Sequence, residues 1–472
     1  QDLGTLPEAV IGRRTAYVGQ PAAIFTGTVR DNLLFGLRHR PVHAATYADP
    51  MTAARRQAAL AESAKAGNSI DDIQADWIDY QAIGVEGPAF LTERLMDVLR
   101  AVDMDREIYE IGLRGTIDPQ RRPDLADAVL RARAALHDRL REPAMAALVE
   151  PFDVARYNRN ATLAENLLFG TPVGPTFDME RLAANPYVLA VLDKVGLTRD
   201  LLLAGYEVAA LMVELFSGVD PGNDLFEQYS FIRAEDLAEF QAIVTRFNRA
   251  NIETAGSEER ERLLSLPFKL ILARHRLGVI DAALEARLLE ARAVFARELP
   301  DADRAAVEFF DVGRYNAATS VLDNILFGKV AYGQAQGGTK VGLLIGEVVD
   351  AVGTRHNLLE GGLEFEVGNA GARLSAAQRQ KLAIARCLLK RPDLLVMNMP
   401  TALLENQVRT QIVEAVLRET AGRGLVWILE RPGLAAQFDR VVVLKAGKVV
   451  EQGTFDELNM PGSSFRELVN AA

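Results

Sequence analysis

The chain has 472 residues, 49% of them apolar and 25% charged, an ordinary globular balance with material for roughly two to four domains. Its 53 Lys and Arg against 64 Asp and Glu leave a net charge of −11, which argues against a nucleic-acid sleeve or a polybasic membrane patch. Cys387 is the only cysteine; a disulfide framework and a cysteine-built zinc site are excluded, and a reducing, cytoplasmic compartment is favoured.

The sequence opens directly in a strand-like run, Arg13 to Val18, with neither an initiator Met nor a basic-then-apolar leader, as expected of a fragment of a longer protein. Val18 to Gly36 (VGQPAAIFTGTVRDNLLFG) returns as Phe152 to Gly170 (FDVARYNRNATLAENLLFG) and as Phe310 to Gly328 (FDVGRYNAATSVLDNILFG). The three segments have equal length and all end in acid-Asn-apolar-Leu-Phe-Gly. The closing glycines are 134 and 158 residues apart, which excludes a solenoid of fixed period and reads as segmental duplication inside an insertion. A recurring strand-to-helix entry with Phe-Gly as the helix stop is the alternative.

Between the copies the apolar period is helical. Pro123 to Glu142 places Leu125, Val129, Ala132, Leu136 and Leu140 on one face. Phe90 to Val102, Ala234 to Ala250 and Leu277 to Glu298 follow the same design, and their charges read as solvated faces. A largely α-helical module is expected over residues 41–335, closed by a flexible boundary at Gly333 to Lys340 (GQAQGGTK). After residue 360 the period changes. Leu394 to Met397 is a short buried strand, Glu405 to Thr420 an amphipathic helix stopped by Gly422, and Leu425 to Leu429 another strand, which together predict a right-handed parallel crossover. Arg440 to Leu444 and Lys448 to Glu451 flank Ala446-Gly447 as a hairpin, and Thr454 to Asn459 starts a closing helix.

The densest chemistry lies in Ala372 to Pro392, ARLSAAQRQKLAIARCLLKRP. Ser375 followed by Gln378 fits a helix capping box, and such a helix start offers free N–H groups and a positive dipole end to an anion. This stretch resembles the signature helix, Leu-Ser-Gly-Gly-Gln-Arg-Gln, of ABC transporter nucleotide-binding domains. The sequel is similar in order and spacing. Pro392 to Thr401 resembles the Walker B strand, Ala402 to Glu405 the D-loop, and Ile428 to Arg431 the switch region. Asp439 to Leu444 with Gly447 to Thr454 resembles the closing hairpin. Upstream, Tyr17 to Pro21 and Phe25 to Asn32 resemble the Q-loop region of exporter-type domains. The resemblance covers residues 10–36 and 360–465.

It implies an α/β fold: a partial P-loop nucleotide-binding core with parallel strands, split into residues 1–40 and 336–472 by the helical insertion that carries the segments 152–170 and 310–328. It implies ATP and Mg²⁺ as ligands, with Gln20, Ser375, Ala376, Ala377 and Gln378 facing the nucleotide and Gln20 and Asn398 as weak magnesium ligands. It also implies a transmembrane domain and a second nucleotide-binding domain as partners, no nucleic acid, and a place on the cytoplasmic side of the inner or plasma membrane. The departures bear on catalysis. The phosphate loop Gly-x-x-x-x-Gly-Lys-[Ser/Thr] is absent. Asn398 stands where the family has an aspartate, Met399 where it has the glutamate that polarises water, and Glu430 where it has the switch histidine. A thioether cannot take that proton, and a neutral amide brings no charge to a hard cation. Ala376 and Ala377 replace two glycines, so Cβ atoms crowd a close approach to phosphate. The expectation is an ATP-binding transporter component with degraded hydrolysis; the alternatives are a catalytically silent regulatory or assembly module and a helical interaction scaffold. The five histidines, His39, His43, His137, His275 and His356, show no metal-ligand spacing, and Trp77, Trp427, Tyr157 and Tyr315 read as core rather than stacking platforms.

Overall fold

The structure, a computed structural model, describes residues 3–220, 226 and 230–471. Short strands punctuate a mostly helical chain: β1 (Thr15–Val18), β2 (Val149–Pro151), β3 (Gly170–Pro172), β4 (Val307–Phe309), β5 (Gly328–Val330), β6 (Leu394–Asn398), β7 (Gly424–Ile428), β8 (Val441–Lys445) and β9 (Lys448–Gly453). The chain forms two compact units. One contains the chain up to Gly112 and again from Leu358; the other is Leu113–Asn357. The division therefore falls far from the expected breaks at 40/41 and 335/336. On the N-terminal side, the helix Leu91–Ala101 belongs with the first unit because it buries Leu95, Val98 and Leu99 against the signature helix. On the C-terminal side the flexible boundary is not seen. A helix, Gly337–Ala351, starts inside it because the stripe Val341, Leu344, Ile345 and Val348 extends helical packing back over the glycines.

In the first unit β1, β6 and β7 form a parallel sheet in the order β1-β6-β7, with Val18 opposite Met397 and Asn398 opposite Ile428. The expected crossover is present, made by the helix Asn406–Glu419 between β6 and β7. Alternation along the strands sends Ala16, Val18, Leu395 and Met397 into one core with Leu382, Ala385 and Leu389 of the signature helix Ala376–Lys390. The other face is open: Tyr17, Val426 and Ile428 are 61%, 50% and 51% exposed. Among the described residues β7 pairs only with β6, and β8 only with β9 in the expected hairpin. An apolar cleft of about 580 Å³, lined in part by Val426, Ile428, Val442 and Leu444, lies along these two strands.

The second unit explains the repeated sequence in physical terms. The invariant Asn of each segment is buried and closes its own loop. Asn166 Oδ1 accepts the Asn158 N–H at 2.9 Å and its Nδ2 donates to the Asn158 carbonyl at 2.8 Å; Asn324 does the same to Asn316 at 2.8 and 2.8 Å. Two arginines complete the arrangement. Arg292, on the helix Ala282–Glu298, donates to the carbonyls of Asn166, Asp153, Val154 and Arg156 at 2.7, 3.2, 3.0 and 3.1 Å. Arg133, on the helix Pro123–Leu140, donates to those of Asn324, Asp311, Val312 and Arg314 at 2.7, 3.0, 2.8 and 3.0 Å. Each guanidinium also lies over the phenylalanine that ends its segment, Phe169 at 4.5 Å and Phe327 at 4.4 Å. Burial pushes both arginines down to about 10, so both are charged at neutral pH. The expectation that the helix charges lie on solvated faces fails at these two positions, which are 2% and 3% exposed.

The strands on either side of the segments exchange. β2, ahead of one segment, pairs antiparallel with β5, which ends the other, and β4 pairs with β3 in the same way. Phe152 and Phe310, equivalent in the two segments, stack at 4.2 Å. A Cβ at Gly170 or Gly328 would sit 2.7 or 2.5 Å from a carbonyl oxygen of the facing strand, which accounts for glycine at the end of both. A similar constraint fixes Gly205 in the helix Thr198–Phe216, where a Cβ would meet the Leu263 carbonyl oxygen at 2.1 Å. Backbone cannot yield as a side-chain tip does, so Gly205→Ala is expected to cost about 1–3 kcal/mol of stability despite alanine's helix preference. Guanidinium titration of the variant checks this.

Candidate functional site

The C-terminal edge of a parallel sheet is where α/β folds place ligands, and the sheet order brings most of the sequence-predicted residues there. Gln20 follows β1, Asn398 ends β6, Met399 comes next, and Glu430 lies two residues past β7. Strand register ties these ends together, and the Met399 N–H donates to the Ile428 carbonyl at 3.1 Å. The signature helix joins them from the side: buried Gln380 donates from Nε2 to the Gly19 carbonyl at 3.4 Å. Its first turn has the expected capping box. Ser375 Oγ accepts the Gln378 N–H at 3.1 Å, and Gln378 Oε1 accepts the Ser375 N–H at 2.9 Å. Ser375 and Ala376 are exposed, and Ala377 and Gln378 half-buried.

Each substituted position has a definite environment. Asn398 Nδ2 donates to the Tyr17 hydroxyl at 3.3 Å. Met399 has φ +45° and is 41% exposed; a non-glycine residue held in that left-handed region is strained, a condition that clusters at functional sites. Glu430 is engaged rather than free. One carboxylate oxygen accepts the Thr401 N–H at 2.6 Å and the Thr401 hydroxyl donates to the same group at 3.2 Å. Thr401 is fully buried, so the carboxylate satisfies an amide that has no water. Buried Arg409 extends this order, donating to the carbonyls of Thr401 and Leu404 at 3.3 and 2.9 Å and fixing the D-loop-like turn.

Gln380, Arg409 and Tyr17 were given no site role by the sequence. Gln380 carried a signal, being polar at a position whose helical period points to the core. Arg409 carried none, because its acceptors are main-chain carbonyls. The site does not fit a magnesium ion held by this chain alone. Mg²⁺ takes one or two carboxylates together with phosphates, whereas Gln20 and Asn398 are neutral and Glu430 is bound to Thr401. Among the described residues no cluster of three or more His, Cys, Asp or Glu side chains could hold a metal ion. Cys387 is buried, and burial pushes its thiol up.

No family model matches the chain. Curated proteins do. It is 34% identical over 142 residues to the heterocyst differentiation ATP-binding protein HepA of a Nostoc species, covering 30% of this chain and 22% of that protein. It is 34% identical over 150 residues to the ATP-dependent lipid A-core flippase of Burkholderia orbicola, covering 31% and 25%. ABC transporter B family member 19 of Arabidopsis thaliana is 32% identical over 155 residues, covering 32% and 12%. The chain thus spans a quarter or less of the length of these relatives. Among solved structures, a bacterial Atm1-family ABC exporter with ATP bound shares 29% identity, with a TM-score of 0.22 over 23% of this chain and 19% of that one.

Proposed function

From the premise that this chain carries part of an ATP-binding domain of the ABC exporter type, we propose that it is the Q-loop, signature and switch portion of a transporter ATPase whose own hydrolytic step is degraded. The observation that carries the reading is the convergence of Gln20, Asn398, Met399 and Glu430 on one edge of the parallel sheet, next to a signature helix whose capping box is intact. The apolar cleft along β7 and β8, which do not pair with each other among the described residues, supports it, since it offers a seat for a further strand, such as one leading into a phosphate loop. ATP is then held mainly by a phosphate loop that this sequence does not contain, and the exposed Ser375 end closes over nucleotide on a second such domain. Among the described residues no helix is long and apolar enough to cross a membrane. By its likeness to the exporter ATP-binding proteins we place the chain at the cytoplasmic face of the inner or plasma membrane, attached through a separate transmembrane domain that Gln20 and its loop contact. The unit Leu113–Asn357 is read as a module inserted into that core. A silent regulatory role is the second reading, favoured by the engagement of Glu430 with Thr401.

The two part in a mixed dimer with a partner that has an intact phosphate loop. Ser375→Ala with Gln378→Ala removes the hydroxyl and the amide facing the nucleotide, and is expected to lower ATP turnover roughly tenfold, equivalent to about 1.4 kcal/mol of transition-state stabilisation. Helix content and thermal unfolding are followed in parallel, because losing the cap costs about 1 kcal/mol. Unchanged turnover would leave only the silent reading.

A further inference from the structure

The signature helix runs 15 residues from its Ser375 cap to Lys390, about 22 Å at 1.5 Å per residue. At the Lys390 end lies a cavity of about 660 Å³, within the size range of small-molecule sites, about 300–1,000 Å³. Its wall includes Trp77, Tyr80, Arg13, Arg40, His39 and Lys390. The Lys390 ammonium donates to the carbonyls of Gly12 and, at 2.8 Å, of Thr15, which fixes its charge at the wall. The Trp77 indole donates from Nε1 to the Asp72 carbonyl at 3.0 Å and is half-buried, a fixed ring rather than the closed core residue its sequence suggests. Arg13 and Arg40 are exposed. Partial desolvation, then the charges of Lys390 and Arg13, hold His39 below the usual imidazole range. Two acids also line the cavity. Asp79, which accepts the Ala82 N–H at 3.0 Å, and Glu86 are both opposite in sign to the cations.

In a chain of net charge −11, three cations against two carboxylates, gathered around an indole and a phenol, suit one kind of guest. Guanidinium forks match phosphate oxygens, and a fixed indole offers a stacking surface to a flat ring. We propose that this cavity binds a phosphorylated compound carrying a planar ring, of the size of a nucleoside monophosphate. None of its residues belongs to the edge formed by Gln20, Asn398, Met399 and Glu430.

The test uses the full chain and AMP as probe, followed by calorimetry and by tryptophan fluorescence, with Trp427 as constant background. Saturable binding is expected below roughly 1 mM, with adenosine and inorganic phosphate each at least tenfold weaker. Arg13→Glu with Arg40→Glu should weaken AMP at least tenfold; both side chains are exposed, so circular dichroism should show the native fold. Trp77→Leu should remove the fluorescence change and weaken binding. No saturation by about 10 mM AMP, or full affinity in the double Arg variant, overturns the proposal.

Discussion

Arg292→Met is expected to destabilise the Leu113–Asn357 unit by about 3–5 kcal/mol, the range for removing one side of a buried charged contact. The volume is roughly kept, so the loss is electrostatic and polar. The Asn166 side chain and four loop carbonyls, those of Asp153, Val154, Arg156 and Asn166, lose their donor inside a closed loop. Hydrogen bonds to a charged group contribute about 1.5–3 kcal/mol each, and orphaned acceptors add desolvation. Arg292→Lys keeps the charge but not the fork, and should recover less than half. Arg133→Met should behave alike in the other segment. Arg386 is the internal contrast: it reaches the Ala23 carbonyl at 2.8 Å and sits 5.1 Å from the Phe25 ring, so Arg386→Met should cost only about 1 kcal/mol. Two units need not unfold together, so hydrogen exchange of the Asn158 and Asn316 amides is the measurement. Equal protection in wild type and Arg292→Met would refute the clamp.

The second large effect is on turnover. On the proposed function, a homodimer of the protein that carries this chain should hydrolyse ATP slowly, because losing the general base alone costs roughly 10²–10⁴-fold; turnover in the usual range of about 1–10³ s⁻¹ would refute this. Reversal should be graded. Asn398→Asp with Met399→Glu restores a carboxylate for the metal and one for the water, and should raise the rate by a factor of roughly 10²–10³. Adding Glu430→His should not simply add. It frees the buried Thr401 amide, at a cost of about 1–3 kcal/mol in stability. Phosphate release and thermal unfolding, measured on both variants, separate rate from stability.

Much of the first unit was legible because its signals are local. The capping box of Ser375 and Gln378, the crossover between Leu394 and Leu429, and the Ala446-Gly447 hairpin each rest on a few adjacent residues. The site edge was legible only through the family's motif order, since nothing in Asn398 or Met399 alone points to it. The clamps were hidden for a different reason. Arg133 and Arg292 sit on helices full of exposed arginines, and their acceptors lie 126 to 191 residues away in sequence. A trace existed all the same: both stand in an Ala-Arg-Ala run, and Arg386 follows Ala385 in the same helical position. The fit of Glu430 to Thr401 was beyond pattern, because its partner is a backbone amide.

The exchange of strands between the two segments has a consequence for how the chain reaches its native state. Asp153 follows Arg133 by 20 residues and Asp311 follows Arg292 by 19, so each arginine has, nearby in sequence, a loop chemically equivalent to the one it finally grips. Closing the short loop is entropically cheaper than closing the native one by about 1–2 kcal/mol per arginine. A collapsing chain therefore meets the wrong partner first, with the right hydrogen bonds. The native pairing prevails only after β2–β5 and β3–β4 form and Phe152 stacks on Phe310, contacts that no single segment can make. Productive folding of this unit is consequently late, non-local and slow relative to its helical content. During synthesis the first segment-and-arginine pair emerges long before its proper partners exist.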